Sequence, residues 1–231
     1  MFTRRAWLTL TTLLSLEGSS FAQTGSSKGS GSSRAENAPT LLLVPLGNSL
    51  LDADIEFVKT CLLAFYDFNI ELYPRTKLPP TAYYPPRQRY RAEKLLSYLD
   101  RLANPSYNRV VGLTGVDIST TKGDVFDWGV LGLATIDGRV GVLSSHRCER
   151  GTKNHRELAI RFGKVAVHEV GHTLGLPHCP TLRCLMEDAK GSVMTTDREY
   201  DLCPACRNRL TQSGHGAHEN PEIPWPKPTV E

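Results

Sequence analysis

The chain has 231 residues, of which 40% are hydrophobic and 22% charged, with a formal net charge of +3. That is enough apolar material for a single globular domain to bury a substantial core without disulfide staples. The small positive surplus does not point to nucleic acid, and part of it falls in segments expected outside the folded domain.

Arg4 and Arg5 precede an apolar stretch from Ala6 to Leu16, which is too short to span a membrane and has the layout of a signal peptide. Thr3-Arg4-Arg5-Ala6-Trp7-Leu8 looks like a twin-arginine export signal, with an ordinary secretory signal as the alternative. Ser20 and Ala22 place processing near Ala22, so residues 1–22 are read as signal. Residues 23–38, rich in Ser and Gly, read as a flexible linker. The folded domain is expected over 39–212, and 213–231, rich in Pro, His and Gly, as a flexible tail. The mature protein is expected to be periplasmic or extracellular, off the membrane once the signal is removed, and monomeric.

Leu41 to Leu46 is a short apolar run ending at Gly47, a buried strand. Ala53 to Tyr66 has helical periodicity, and Ile70 to Tyr73 reads as a second strand. Tyr83 to Arg91 mixes basic and aromatic residues; it is read as a surface loop rather than a nucleic-acid strip, leading into a helix over Arg91 to Leu102. Val110 to Val116 is apolar and β-branched, a third strand. Gly129 to Thr135 and Arg139 to Ser144 are strands joined by Asp137-Gly138, a hairpin signal. A long helix follows from about Arg156 to Leu174, with Leu158, Phe162 and Val165 on a core face.

The end of that helix carries the chemistry. In His168-Glu169-Val170-Gly171-His172 the two histidines lie one turn apart on one face, so both can reach one metal ion at roughly 2.0–2.1 Å. Gly175 can adopt the left-handed conformation that ends a helix, bringing His178 round as a third ligand. Three neutral nitrogen donors leave the fourth position of a zinc ion open for water, whose pKa the metal lowers to about 7. Glu169 is then the candidate proton shuttle from that water to the leaving amine.

Cys179 and Cys184, with Cys203-Pro204-Ala205-Cys206 downstream, form two short-spaced thiol pairs, the pattern of a closed structural zinc site. Two disulfides are the competing reading in an exported protein; a redox CxxC is disfavoured because the strand-to-helix context is missing. His178 and Cys179 are consecutive and point apart in an extended segment, which favours two separate metal sites over one binuclear centre. Asp197 to Thr211 is read as a C-terminal helix carrying the CxxC pair. Cys61 reads as a buried hydrophobe, and nothing in the spacing pairs it with Cys148. Asp117 reads as a turn former, and Tyr200 has the chemistry of an oxyanion stabiliser without a spacing that assigns it.

HEVGHTLGLPHCPTLRCLM followed by CPAC resembles the archaemetzincin pattern, in which HExxHxxGxxH runs directly into Cys, four residues, Cys, one residue, Met, and then a distal CxxC. The resemblance implies that His168, His172 and His178 hold a catalytic zinc with Glu169 as general acid/base. It also implies that Cys179, Cys184, Cys203 and Cys206 hold a second, structural zinc. Met186 falls on the Met-turn residue, with Met194 as second choice; the spacing from Met186 to Cys203 is one residue shorter than the pattern. The implied fold is α/β: a metzincin-type catalytic domain with a twisted mixed β-sheet packed with helices, an active-site helix flooring a cleft, and a small C-terminal subregion built on the four zinc-bound cysteines. An edge strand from the Asp137-Gly138 hairpin is implied to pair with extended substrate. The function expected is a zinc-dependent peptidase acting on peptide or protein substrates. The alternative is a zinc-containing binding module with little or no turnover, which would have no need of a carboxylate at Glu169.

Overall fold

The computed structural model describes residues 38–228. The signal segment 1–22 and the linker 23–38, Ala38 apart, lie outside the described residues. The elements run β1 (Thr40–Pro45), α1 (Asp52–Phe65), β2 (Asn69–Leu72), β3 (Tyr83–Tyr84), β4 (Arg89–Arg91), α2 (Ala92–Leu102), β5 (Arg109–Thr114), β6 (Ile118–Lys122), β7 (Val125–Val130), β8 (Gly132–Ala134), β9 (Val140–Ser144), α3 (His155–Thr173), α4 (Thr195–Arg198) and α5 (Pro204–Gln212). Among the described residues no helix is long and apolar enough to cross a membrane.

The main sheet has the order β2-β1-β5-β9-β8, parallel except for β8, which pairs antiparallel to β9 and forms one edge. Its centre is apolar without alternation because both faces are covered. Leu41, Leu43, Val111, Leu113 and Leu143 enter a core shared with α1 and α3 on one face. Leu42, Val44, Val110 and Val142 enter a second core under α2 on the other. The result is the mixed α/β architecture expected, with α3 lying across the sheet and its C-terminal end beside the β8 edge.

A second sheet, β3-β4-β6-β7, was not anticipated. Tyr83 to Arg91 is not simply a loop: it contributes β3 and β4, and β4 pairs in parallel with β6. The expected strand Gly129 to Thr135 divides between the two sheets. Gly129 and Val130 pair with β6, whereas Gly132 to Ala134 pair with β9. The expected helix from Asp197 to Thr211 is also two elements, because Pro204 fixes its own φ, lacks an N–H and holds Cys203 extended at φ −68°, ψ 160°. Proline suits the first position of a helix, so α5 starts there.

The segment expected as a flexible tail packs against the domain through residue 228. Trp225 is buried, stacks on Phe65 at 5.5 Å between ring centroids, and donates from Nε1 to the Tyr200 carbonyl at 3.0 Å. Trp225→Ala is expected to destabilise the domain by about 3 kcal/mol, lowering Tm by about 10 °C for a domain of this size. Thermal unfolding of the purified variant measures it, and an unchanged Tm would mean that the segment is dispensable.

Candidate metal centre and substrate cleft

Helix α3 begins at an Asn154 cap whose side chain accepts from the Glu157 amide at 3.0 Å, and it carries His168 and His172 near its other end. The end is closed by Gly175 at φ +88°: the Gly175 amide donates to the His172 carbonyl at 2.9 Å and Leu176 donates to Gly171 at 3.0 Å. That paired arrangement needs a left-handed residue, which glycine supplies without a Cβ clash. The chain turns back, and the His178 ring comes to 5.3 Å from that of His168 and 4.9 Å from that of His172, centroid to centroid. One nitrogen from each of the three histidines lies within 4.8 Å of the others.

These residues fit a divalent ion. His168 Nδ1 meets the Leu185 carbonyl and His172 Nδ1 meets the Leu176 carbonyl, both at 2.7 Å. A carbonyl only accepts, so each Nδ1 carries the proton and each Nε2 keeps its lone pair free. Burial, together with the neighbouring His172 imidazole, pushes His168 down to about 3, and burial lowers His172 as well. Neutral imidazoles converging with free lone pairs are what a zinc ion takes. Met186 is wholly buried against the helix that carries His168 and His172, its sulfur occupying the place where a Cβ on Gly171 would stand. Met194 is more than half exposed and accepts instead from Arg161, at 3.7 Å, so it does not underlie the cluster.

Glu169 sits between the two helical histidines in sequence and lines the same cleft, a cavity of about 570 Å³. Its residue exposure is 6%, and among the described residues its carboxylate has no hydrogen-bond partner. Burial alone pushes it up to about 8. It reaches the cleft because residue 132 on the opposing edge strand is glycine: a Cβ there would lie 2.4 Å from Glu169 Oε1. All three residues of β8 line the cleft beside it.

The second cluster lies immediately beyond. Cys179 and Cys203 sulfurs are 3.7 Å apart, as are those of Cys184 and Cys206, and all four thiols are free. A disulfide requires about 2.05 Å, whereas thiolates arranged tetrahedrally at about 2.3 Å from one zinc ion stand about 3.8 Å apart. The Met186 and Cys203 amides approach Cys184 Sγ at 3.5 and 3.4 Å, a surrounding suited to a thiolate. The four-cysteine group can hold a metal ion, and the disulfide reading finds no support in these separations.

Tyr200 does not belong to the cleft. It lines a separate cavity with Cys203 and Lys227, which removes it as an oxyanion stabiliser. Asp117 is more than a turn former: it makes a two-point ion pair with Arg147, at 2.7 and 3.0 Å, beside the cleft. Gly132 and the buried Glu199, both on the cleft wall, were missed because neither has a spacing signal.

Residues 55–212 match the model of Peptidase family M54. The chain belongs to peptidase family M54. Archaemetzincins are similar to it along most of the domain. The archaemetzincin of Natronomonas pharaonis is 31% identical over 156 residues, 64% of this chain and 87% of the relative. That of Haloquadratum walsbyi is 29% identical over 175 residues, 73% of this chain and 96% of the relative. The crystal structure of archaemetzincin from Methanopyrus kandleri superposes with a TM-score of 0.65 at 28% identity, covering 78% of this chain and 97% of that one. The one from Archaeoglobus fulgidus, complexed with malonate, gives 0.62 at 29% identity, covering 74% and 99%. As an M54 member the protein is a zinc metallopeptidase acting on peptides or proteins, so the reading as a binding module without turnover is set aside.

Proposed function

We propose that the catalytic zinc of this M54 peptidase is held by His168, His172 and His178, that Glu169 is the general acid/base, and that Cys179, Cys184, Cys203 and Cys206 hold a second, structural zinc. The observation that supports this reading most strongly is the Glu169 carboxylate. It is largely buried, has no hydrogen-bond partner among the described residues, and opens on the cleft beside three imidazoles whose free nitrogens converge. A side chain kept in that state carries a cost in stability, and proton transfer is the function that needs it.

Zinc, when bound there, polarises a peptide carbonyl and acidifies water. Glu169 takes the proton that water gives up as it attacks, and returns it to the amide nitrogen as the C–N bond breaks. The raised proton affinity that burial confers suits a group that must hold a proton between those two steps. The outer edge of β8 aligns an extended peptide by main-chain hydrogen bonds, and Gly132 leaves room for the Glu169 side chain beside that strand. The Leu185 and Leu176 carbonyls keep His168 and His172 in one tautomer throughout.

We read residues 1–22 as an export signal. A domain already folded around thiol-held zinc would reach an oxidising compartment with its cysteines shielded.

The test is a quenched-fluorescent peptide library combined with metal analysis. Two zinc ions per chain are expected, with cleavage that is lost on chelation and restored by zinc. One zinc ion per chain would overturn the second site, and a zinc-loaded chain that cleaves nothing would overturn the assignment of the cleft.

A further inference from the structure

Beyond the histidine cluster, toward the start of α3, the cleft is walled by Val165, one turn before Glu169, and by Val193, Thr196 and Glu199 around α4. This wall is held firmly. Arg161 makes a two-point ion pair with Asp197, at 2.7 and 2.8 Å, and donates to the Cys148 and Arg150 carbonyls at 3.0 and 2.7 Å. Lys164 donates from Nζ to the Thr196 and Glu199 carbonyls, both at 2.7 Å. Both cations are buried on α3, so the segment 196–199 is tied to the same helix that presents His168 and Glu169.

Glu199 stands out on this wall. The residue is 3% exposed and lines the cleft, yet among the described residues its carboxylate has neither a hydrogen-bond partner nor an ion-pair partner. The neighbouring charges are committed elsewhere. Arg198 pairs with Glu187, Arg147 pairs with Asp117, and the Lys164 ammonium is engaged by main-chain carbonyls. Burial pushes Glu199 up to about 8, with Lys164 offsetting only part of the effect. A buried carboxylate open to a cleft, with its nearest cation, Lys164, held by main-chain carbonyls and no direct ion pair among the described residues, has capacity for a further cation.

We propose that Glu199 is a specificity-determining residue, and that the part of the cleft it lines with Val165, Val193 and Thr196 takes a lysine or arginine side chain flanking the scissile bond of the substrate. The apolar walls at Val165 and Val193 cover the aliphatic stem of such a side chain, and its charged head reaches the carboxylate. Exposed Arg150 and Lys190 at the rim are screened by solvent and act on a bound side chain far less than a desolvated partner does. This inference rests on the proposed metal centre, which sets where the scissile bond lies.

The test uses the zinc-loaded protein and hydroxamic acids that carry a lysine, leucine or glutamate side chain beside the chelating group, titrated by calorimetry. The lysine compound is expected to bind about tenfold more tightly than the leucine one, and the glutamate compound weakest. Glu199→Gln is expected to bring the lysine-to-leucine ratio to about one, and Glu199→Asp to keep part of it, with zinc content and Tm establishing that each variant is folded. Peptide-library cleavage by the same proteins should show the matching gain and loss of lysine and arginine beside the cut. Equal affinities in the parent protein, or a lysine preference that survives Glu199→Gln, would overturn the role of Glu199 and leave the metal centre standing. Binding of none of the three compounds would overturn the metal centre and this inference with it.

Discussion

Glu169→Gln is expected to lower kcat by about 10³-fold, within the 10²–10⁴ range of a positioned general acid or base, which corresponds to about 4 kcal/mol of barrier. The amide fills the same volume but cannot take up a proton, so the loss falls on the chemical step. Zinc content should be unchanged, because the three converging nitrogens belong to other residues. Tm should not fall, because the carboxylate it replaces is largely buried and makes no hydrogen bond or ion pair among the described residues. The combination of turnover lost with metal and stability retained separates a proton-transfer role from a structural one. Steady-state kinetics on a peptide that the parent protein cleaves, with metal analysis of the same samples, gives the answer. A variant that keeps activity within tenfold would remove Glu169 from the chemistry, and one that loses zinc would make it part of the metal-holding shell instead.

The site was more legible in the sequence than the fold around it, for a physical reason. His168, His172, Gly175 and His178 are close in sequence, so one helix and one turn determine how they meet. The main sheet was legible as well, because Leu41 to Val44 and Val110 to Leu113 are continuous buried runs. The second sheet was not. Its strands β3 and β4 have two and three residues, too few for a period to register. Its interior is also charged: Arg89 lies 3.2 Å from Asp117 and 3.5 Å from Asp127, and that network reads in sequence as exposed polarity. Glu199 and Trp225 were hidden for a related reason. A glutamate in a polar segment and a tryptophan in a Pro-rich tail acquire their roles from elements distant in sequence, here Lys164 on α3 and Phe65 on α1.

The cysteine cluster makes the other large prediction, because it is tied to the histidines by the chain itself. Cys179 follows His178, and its amide donates to the Met186 carbonyl at 2.7 Å. Leu185, next to Cys184, accepts from His168 through its carbonyl and donates to Asp201 through its amide, at 2.7 and 3.0 Å. The segment 178–186 therefore serves both clusters, anchored by four sulfurs at one side and presenting His178, the Leu185 carbonyl and Met186 at the other. On the proposed assignment, Cys206→Ala removes one anchor and with it the structural zinc. Metal-coupled folding energies of isolated zinc-binding peptides reach about 10 kcal/mol or more, and a domain with its own core should lose a fraction of that. A loss of about 4 kcal/mol is expected, read as a fall in Tm of more than about 10 °C, with zinc per chain dropping by at least one. Activity should fall with it even though Cys206 does not touch the cleft, since His178 and the carbonyl that orients His168 lose their support. Cys148→Ala supplies the comparison: that thiol is buried in the core but outside the cluster, so its loss leaves the zinc count intact. If Cys206→Ala kept the full zinc complement and the parent Tm, the four thiols would be no more than a close-packed group, and the rigidity of the catalytic turn would have to come from its backbone hydrogen bonds alone.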